Sequence, residues 1–184
     1  MALRHFYQGE ENENAVSKHG FIVWIGLAGT AQAADGTIYF TGSITDQTCA
    51  VDSGSQSMNV DLGKVSVTTL NGSAGLKAAP THFSITLNDC PDTVTALKVK
   101  FDGTAHAVNQ RLLSLDSGSN VASGVGIEIA DKNGSVIPLY SASGDYTLDE
   151  GSNTLDFTAR YVSTGTTVTT GTANATSQFT LNYR

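Results

Sequence analysis

The sequence predicts an all-β sandwich, and three observations carry that expectation. Threonine and serine are abundant, at 23 and 18 residues, and the branched threonine side chain suits a pleated surface. Charged residues make up only 15% of the 184 positions, which argues against charge-driven disorder and against a coiled coil. Short segments alternate apolar and polar residues between clusters of Gly, Ser, Asn and Asp, and no window sustains a 3.6-residue period. The length fits one domain with enough chain to bury a substantial core. A formal net charge of −7 and a pI near 4.8 leave no basic footprint for nucleic acid and argue against docking on an anionic membrane.

The first apolar run is Phe21-Ile22-Val23-Trp24-Ile25-Gly26-Leu27-Ala28-Gly29, ending in Thr30-Ala31-Gln32-Ala33. It is too short to span a bilayer as a helix. It has the length of a signal-peptide core, with Lys18 and His19 before it and Ala31-x-Ala33 as a small-residue cleavage site. Residues 1–33 are therefore read as a cleaved secretory signal, with Ala34 opening the mature chain. Glu10, Glu11 and Glu13 are acidic for such a leader, so either the signal is long or translation starts downstream of Met1. The mature chain carries 14 acids against 8 bases and has lost the sole tryptophan, Trp24. Cys49 and Cys90 are its only cysteines. An even number in an exported chain reads as a disulfide, and closing so long a loop stabilises by roughly 4 kcal/mol on the chain-entropy model. Two cysteines without a CxxC spacing make poor zinc ligands.

The elements follow in order. Residues 36–45 alternate, with Ile38, Phe40 and Ile44 on one face. Phe83, Ile85 and Leu87 precede Cys90, and Leu97, Val99 and Phe101 alternate with Lys98 and Lys100. Val125, Ile127 and Ile129 lead into Asp131-Lys132-Asn133-Gly134, and Val136-Ile137-Pro138-Leu139 follows; Asn-Gly between two such runs is a hairpin signal. Leu155, Phe157, Ala159 and Tyr161 share another face, and Phe179, Leu181 and Tyr183 close the chain. Short strands, frequent turns and one disulfide describe a sandwich of immunoglobulin type; a closed barrel fits the same pattern.

No catalytic constellation stands out. The mature chain has two histidines, His82 at a strand start and His106 in a turn, both read as structural. Its only glutamates are Glu128 and Glu150, and Glu128 falls on the polar face of a strand, where a solvated charge is expected. No pair of convergent carboxylates can be singled out, and the Gly-x-Ser-x-Gly, His-Glu-x-x-His and P-loop patterns are absent. Neither an enzyme nor a cofactor or metal site is expected.

The two ends of the mature chain are more informative. The first alternating segment begins close to the cleavage site, and its inward face is interrupted by Gly42 between Phe40 and Ile44. Glycine weakens a strand unless another backbone must approach closely. Either this is an ordinary first strand with a bulge, or a strand built to lie in another molecule's groove. The stretch from Ala34 to Val51 resembles the start of mature chaperone–usher pilins of the type 1 fimbria group. The resemblance continues through Val60-Asp61-Leu62-Gly63, Leu87-Asn88-Asp89-Cys90-Pro91, Ala159-Arg160-Tyr161 and the terminal segment from Ala173 to Arg184. Two hallmarks match by position: the penultimate Tyr183, and Gly171, fourteenth from the C-terminus counting Arg184 as first.

That resemblance implies an incomplete immunoglobulin-like β-sandwich that lacks its final strand and is completed by donor-strand exchange. It implies an N-terminal extension, residues 34–48, ahead of a pilin domain, residues 49–184. The donor positions would be Gly36, Ile38, Phe40, Gly42 and Ile44. The acceptor groove and chaperone-binding edge would comprise Gly171, Phe179, Leu181, Tyr183 and Arg184, with the Arg184 carboxylate anchoring basic groups of the chaperone. The implied partners are neighbouring pilin subunits, a periplasmic chaperone and an outer-membrane usher, and the destination is an extracellular fimbria that supports adhesion. A fimbrial adhesin is the alternative; such adhesins carry a lectin domain ahead of the pilin domain, for which this chain has no room. The short extension resembles tip-proximal linker subunits and the segment from Cys49 to Leu62 resembles major pilins, so both positions in the fibre stay open.

Overall fold

Among the described residues, alternation becomes strand wherever a partner lies within reach. The computed structural model describes residues 36–42, 44 and 47–184; the expected signal, residues 1–33, lies outside them. Two units emerge, Met1–Gly42 and Ser43–Arg184. In the first, residues 36–42 form neither helix nor strand, and Ile38, Tyr39 and Phe40 are exposed. The strand expected over residues 36–45 is thus not formed in the described part. A period-two pattern makes a segment able to join a sheet, but strand geometry persists only where a ladder supplies the hydrogen bonds.

The second unit contains β1 (Ala50–Val51), α1 (Ser53–Gln56), α2 (Val67–Leu70), β2 (Thr81–Cys90), β3 (Ala96–Gly103), β4 (Val125–Asp131), β5 (Tyr146–Thr147), β6 (Gly151–Ser163) and β7 (Ser177–Tyr183). The strands form two antiparallel sheets, ordered β1-β2-β6-β4 and β5-β3-β7. Each helix is a single capped turn: the Asp52 side chain accepts from Gly54 N–H, and that of Ser66 from Thr68 N–H.

The alternating apolar residues meet between the sheets. Ile85, Leu87, Leu97, Val99 and Phe157 have no exposed surface, and Phe157 stacks on Phe83 and meets Phe101 edge-on, with centroids 5.4 and 5.3 Å apart. Tyr146 packs on Phe157 as well, and its buried hydroxyl has no partner among the described residues. Burial first, then Asp131 and Asp156, push that phenol up to about 12. The expected disulfide joins Cys49 to Cys90 and ties the start of β1 to the end of β2.

Two expectations change. The Asn133-Gly134 turn forms, with Gly134 at φ +83° and Asp131 Oδ1 accepting from the N–H groups of Asn133 and Ser135. Its second arm is not a strand. It makes one bridge, Ala130 to Val136, through bonds from Asp131 N–H to Ser135 and from Ile137 N–H to Ile129. Pro138 has no N–H with which to extend a ladder, and the chain then crosses to the other sheet, where Tyr140 and Ser143 N–H groups bond Phe101 and Val99 carbonyls. Glu128, expected to be solvated, is 6% exposed. It sits opposite Arg160 on β6 and accepts from Lys77 Nζ at 2.9 Å and Arg160 Nη2 at 2.7 Å. The reason lies in the tertiary packing: every residue from Val125 to Ala130 is buried, with Leu112 packed over Gly126 and Lys77 and Arg160 closing over Glu128. The polar face of β4 is therefore shielded from bulk water.

Candidate functional site

One strand edge is unlike the rest. From Ala173 to Tyr183 every odd residue is half-buried and every even residue exposed, so Phe179, Leu181 and Tyr183 face inward. Their neighbours on β3, Val99 and Leu97, are completely buried, whereas these three are not, because β7 lies at the edge of its sheet. Beside that edge runs a groove of about 1060 Å³. Its second wall is the irregular segment 57–67, where Met58 and Leu62 rest on the core. Its floor is the core itself, at Phe83, Ile85, Ile127, Ile129 and Ala159.

Hydrogen bonding shows which backbone groups face the groove. Arg184 N–H donates to Ala96 at 2.8 Å, and the pairing Leu97 to Tyr183 continues in step to Gly103 and Ser177. In an antiparallel pair alternate residues bond the partner. The even residues of β7 therefore bond β3, and the odd ones, Ser177, Phe179, Leu181 and Tyr183, turn N–H and C=O towards the free edge. The same parity holds upstream, where residues 116–124 strap the outer side. Thr172 N–H bonds Asn120, Ala122 N–H bonds Thr172, and Asp116 N–H bonds Asn174. Residues 171–183 thus present one continuous edge with its outer side occupied, and among the described residues no backbone pairs with its groove side.

The remaining site residues shape this wall. Gly171 has no room for a side chain: a Cβ would lie 2.4 Å from both Ala122 N and Asn120 O. Close backbone approach, rather than an unusual φ, is what its position requires. The Tyr183 hydroxyl donates to Cys49 O at 3.4 Å, linking the end of β7 to the disulfide, and burial raises its pKa. Tyr161 does the same at the other end, donating to Ala173 O at 2.8 Å; burial and Asp61 raise its pKa. Arg184 turns away, its side chain 3.7 Å from Asp145. The groove is thus lined by Gly171 and Phe179, while Leu181 and Tyr183 continue the same inward face of β7 against the core. Gly36, Ile38, Phe40 and Gly42 belong to the first unit and are exposed, as is Ile44 in the second; a Cβ at Gly36 or Gly42 would meet nothing within 4 Å. Tyr161 and the strap at residues 116–124 carry no chemical motif, and only the Ala159-Arg160-Tyr161 resemblance pointed to the former.

Chemically, such a site has the groups to accept an extended apolar strand. It offers a row of backbone donors and acceptors beside an apolar floor. His82 is exposed and His106 Nδ1 accepts from Val108 N–H; among the described residues neither is paired with a carboxylate.

A profile of the family described as Fimbrial protein matches residues 38–184. The chain belongs to the fimbrial protein family. It is 39% identical to a type-1 fimbrial protein A chain of Escherichia coli over 173 residues, covering 87% of this chain and 93% of that protein. It is 40% identical to a type 1 fimbrial subunit of Klebsiella pneumoniae, covering 86% and 88% of the two chains. Among solved structures, a type I fimbria protein of Burkholderia pseudomallei is 40% identical with a TM-score of 0.58, over 80% of this chain and 97% of that one. The P pilus rod subunit PapA superposes with a TM-score of 0.62 at 26% identity, over 74% and 99%. The fold is accordingly the immunoglobulin-like sandwich of chaperone–usher pilins, and among the described residues no strand pairs with the free edge of β7. The fimbrial chain is a structural subunit of a chaperone–usher fimbria, exported and assembled into fibres at the cell surface.

Proposed function

We propose that this fimbrial subunit polymerises by strand donation, placing Gly36, Ile38, Phe40, Gly42 and Ile44 in a neighbour's groove while its own groove receives the same segment of another copy. Residues 34–48 act as the donor extension and residues 49–184 as the acceptor domain. A periplasmic chaperone fills the groove first, held at β7 and at the Arg184 carboxylate, and an outer-membrane usher is the site of exchange. The assembled fibre supports adhesion, and the subunit itself performs no catalysis.

The observation that carries this reading is the free edge of β7, whose inward residues Phe179, Leu181 and Tyr183 are half-buried, with Phe179 lining the open groove. A strand laid there covers the core and satisfies the edge. Each fully buried anchor among Ile38, Phe40 and Ile44 contributes about 1.5–3 kcal/mol. A peptide of residues 34–48 added to the chaperone-released subunit is expected to raise its melting temperature, and the Phe40→Asp peptide to have no effect. Equal stabilisation by both peptides would refute the donor role.

A further inference from the structure

A one-residue slip is built into the sheet just ahead of β2, and a buried ion triad sits across it. Thr81 pairs with Ala159, so an unbroken ladder would set Lys77 opposite Ser163. Instead Lys77 lies opposite Val162, with Ala78 N–H donating to Tyr161 at 3.0 Å and Ser163 N–H to Leu76 at 2.9 Å. The extra residue falls among Ala78, Ala79 and Pro80, and Ala79 and Pro80 are exposed. Such a bulge exchanges the two faces of everything beyond it. In the bulged register Leu76 and Ala78 turn inward, to the second apolar cluster formed with Leu70, Val125 and Val168. Lys77 turns outward, to the face where Glu128 lies opposite Arg160.

Backbone chemistry does not force this choice. Pro80 lacks an N–H, but the even residues of β2 bond away from β6: Asp52 N–H donates to Thr86, and Thr86 N–H to Ser55 Oγ. A straight ladder would therefore accept Pro80. Apolar burial decides little either, once the charge at residue 77 is set aside. The bulged register buries one long side chain and one alanine, Leu76 and Ala78; the straight one would bury residue 77 and Ala79. The distinction lies in Lys77 itself. In the bulged register its Nζ donates to both Glu128 oxygens at 2.9 Å, and Arg160 Nη2 lies 2.7 Å from Glu128 Oε1. In the straight register the ammonium would be drawn towards the core beside Ser163, and Glu128 would lose one of its two cations.

We infer that Lys77, held by Glu128 and Arg160, is a positioning residue that selects the bulged register of residues 75–78. The choice reaches the groove, because Leu70 and Val168 of the second cluster line it, and the straight register would withdraw Leu76 and Ala78 from that cluster. Fixing register is the best-attested role for a buried polar or ionic group, since replacing it by apolar residues often leaves stability intact.

The test compares isotopically labelled fibres of the full chain, sheared from the cell surface, by solid-state NMR. Two variants remove the ammonium: Lys77→Met alone, which leaves Glu128 and Arg160 paired, and Lys77→Met with Glu128→Leu and Arg160→Met, which leaves no orphan charge. Both are expected to show a second set of signals, at least about a tenth of the total, in which residue 77 contacts Ser163 and Ala79 contacts Tyr161. The wild type and Lys77→Arg are expected to show one set, with residue 77 against Val162. A single set with wild-type contacts in both methionine variants would overturn the inference, as would a second set in Lys77→Arg. So would failure of both methionine variants to assemble while Lys77→Arg does, because the triad would then supply stability and not register.

Discussion

Glu128 shows how far one residue's meaning depends on its surroundings. Its alternation with Ile127 and Ile129 marks it as outward-facing, and it is, yet the outward face of β4 is itself covered. Burial alone would raise its pKa, but hydrogen bonds and charge from Lys77 and Arg160 outweigh that and hold it below the ordinary 4.5. A carboxylate depressed on folding contributes stability that is present above pH 4.5 and lost as pH falls through the folded value. The peptide-complemented subunit is therefore expected to lose melting temperature below about pH 4.5, and Glu128→Gln to flatten that acid limb. Because Lys77 and Arg160 keep some solvent contact, 39% and 23% for their side chains, the substitution should cost only about 1–2 kcal/mol at neutral pH, measured by denaturant unfolding. Gly171 makes the complementary case. Gly171→Ala forces a methyl into the backbone of Asn120 and Ala122, so a loss of about 1–3 kcal/mol is expected by the same measurement. A neutral result would show that the strap at residues 116–124 yields easily.

At the level of elements, the legible parts are those whose alternation meets a sheet partner on at least one side. Phe83-x-Ile85-x-Leu87, Leu97-x-Val99-x-Phe101 and Leu155-x-Phe157-x-Ala159 all alternate in the sequence and all become central strands. The second arm after Asn133-Gly134 looked equally good and failed because Pro138 removes a donor and the chain changes sheet. The segment 57–67 forms a groove wall without being a strand, and periodicity has no means of marking it. Cysteine pairing was legible from count and compartment, and the disulfide has an element-level role: β1 is only two residues long and depends on Cys49–Cys90 to stay beside β2. Replacing both cysteines by alanine is expected to destabilise the complemented subunit by about 2–5 kcal/mol. Amide exchange should then rise first at Ala50 and Val51, because β1 is paired at only two residues and sits beside the removed disulfide.

For the whole molecule, the ordinary apolar content of the chain is spread over a fold that leaves one groove uncovered. A long free edge beside exposed core is an aggregation hazard. The subunit produced without a chaperone or donor peptide is therefore expected to aggregate or to pair with itself, as read by light scattering or size-exclusion chromatography. A stable soluble monomer would contradict strand donation. The sequence by itself determined the β class, the disulfide, the inward faces of the central strands and the two alternating ends, because side-chain periodicity and cysteine count are local properties of the chain. Only the tertiary structure decided that the edge of β7 is free among the described residues, that Glu128 is buried, that Gly171 is a point of backbone contact and that the Tyr161 hydroxyl bonds Ala173. Each of these depends on which distant segment lies alongside, and that is settled by how the two sheets pack and where the chain crosses between them.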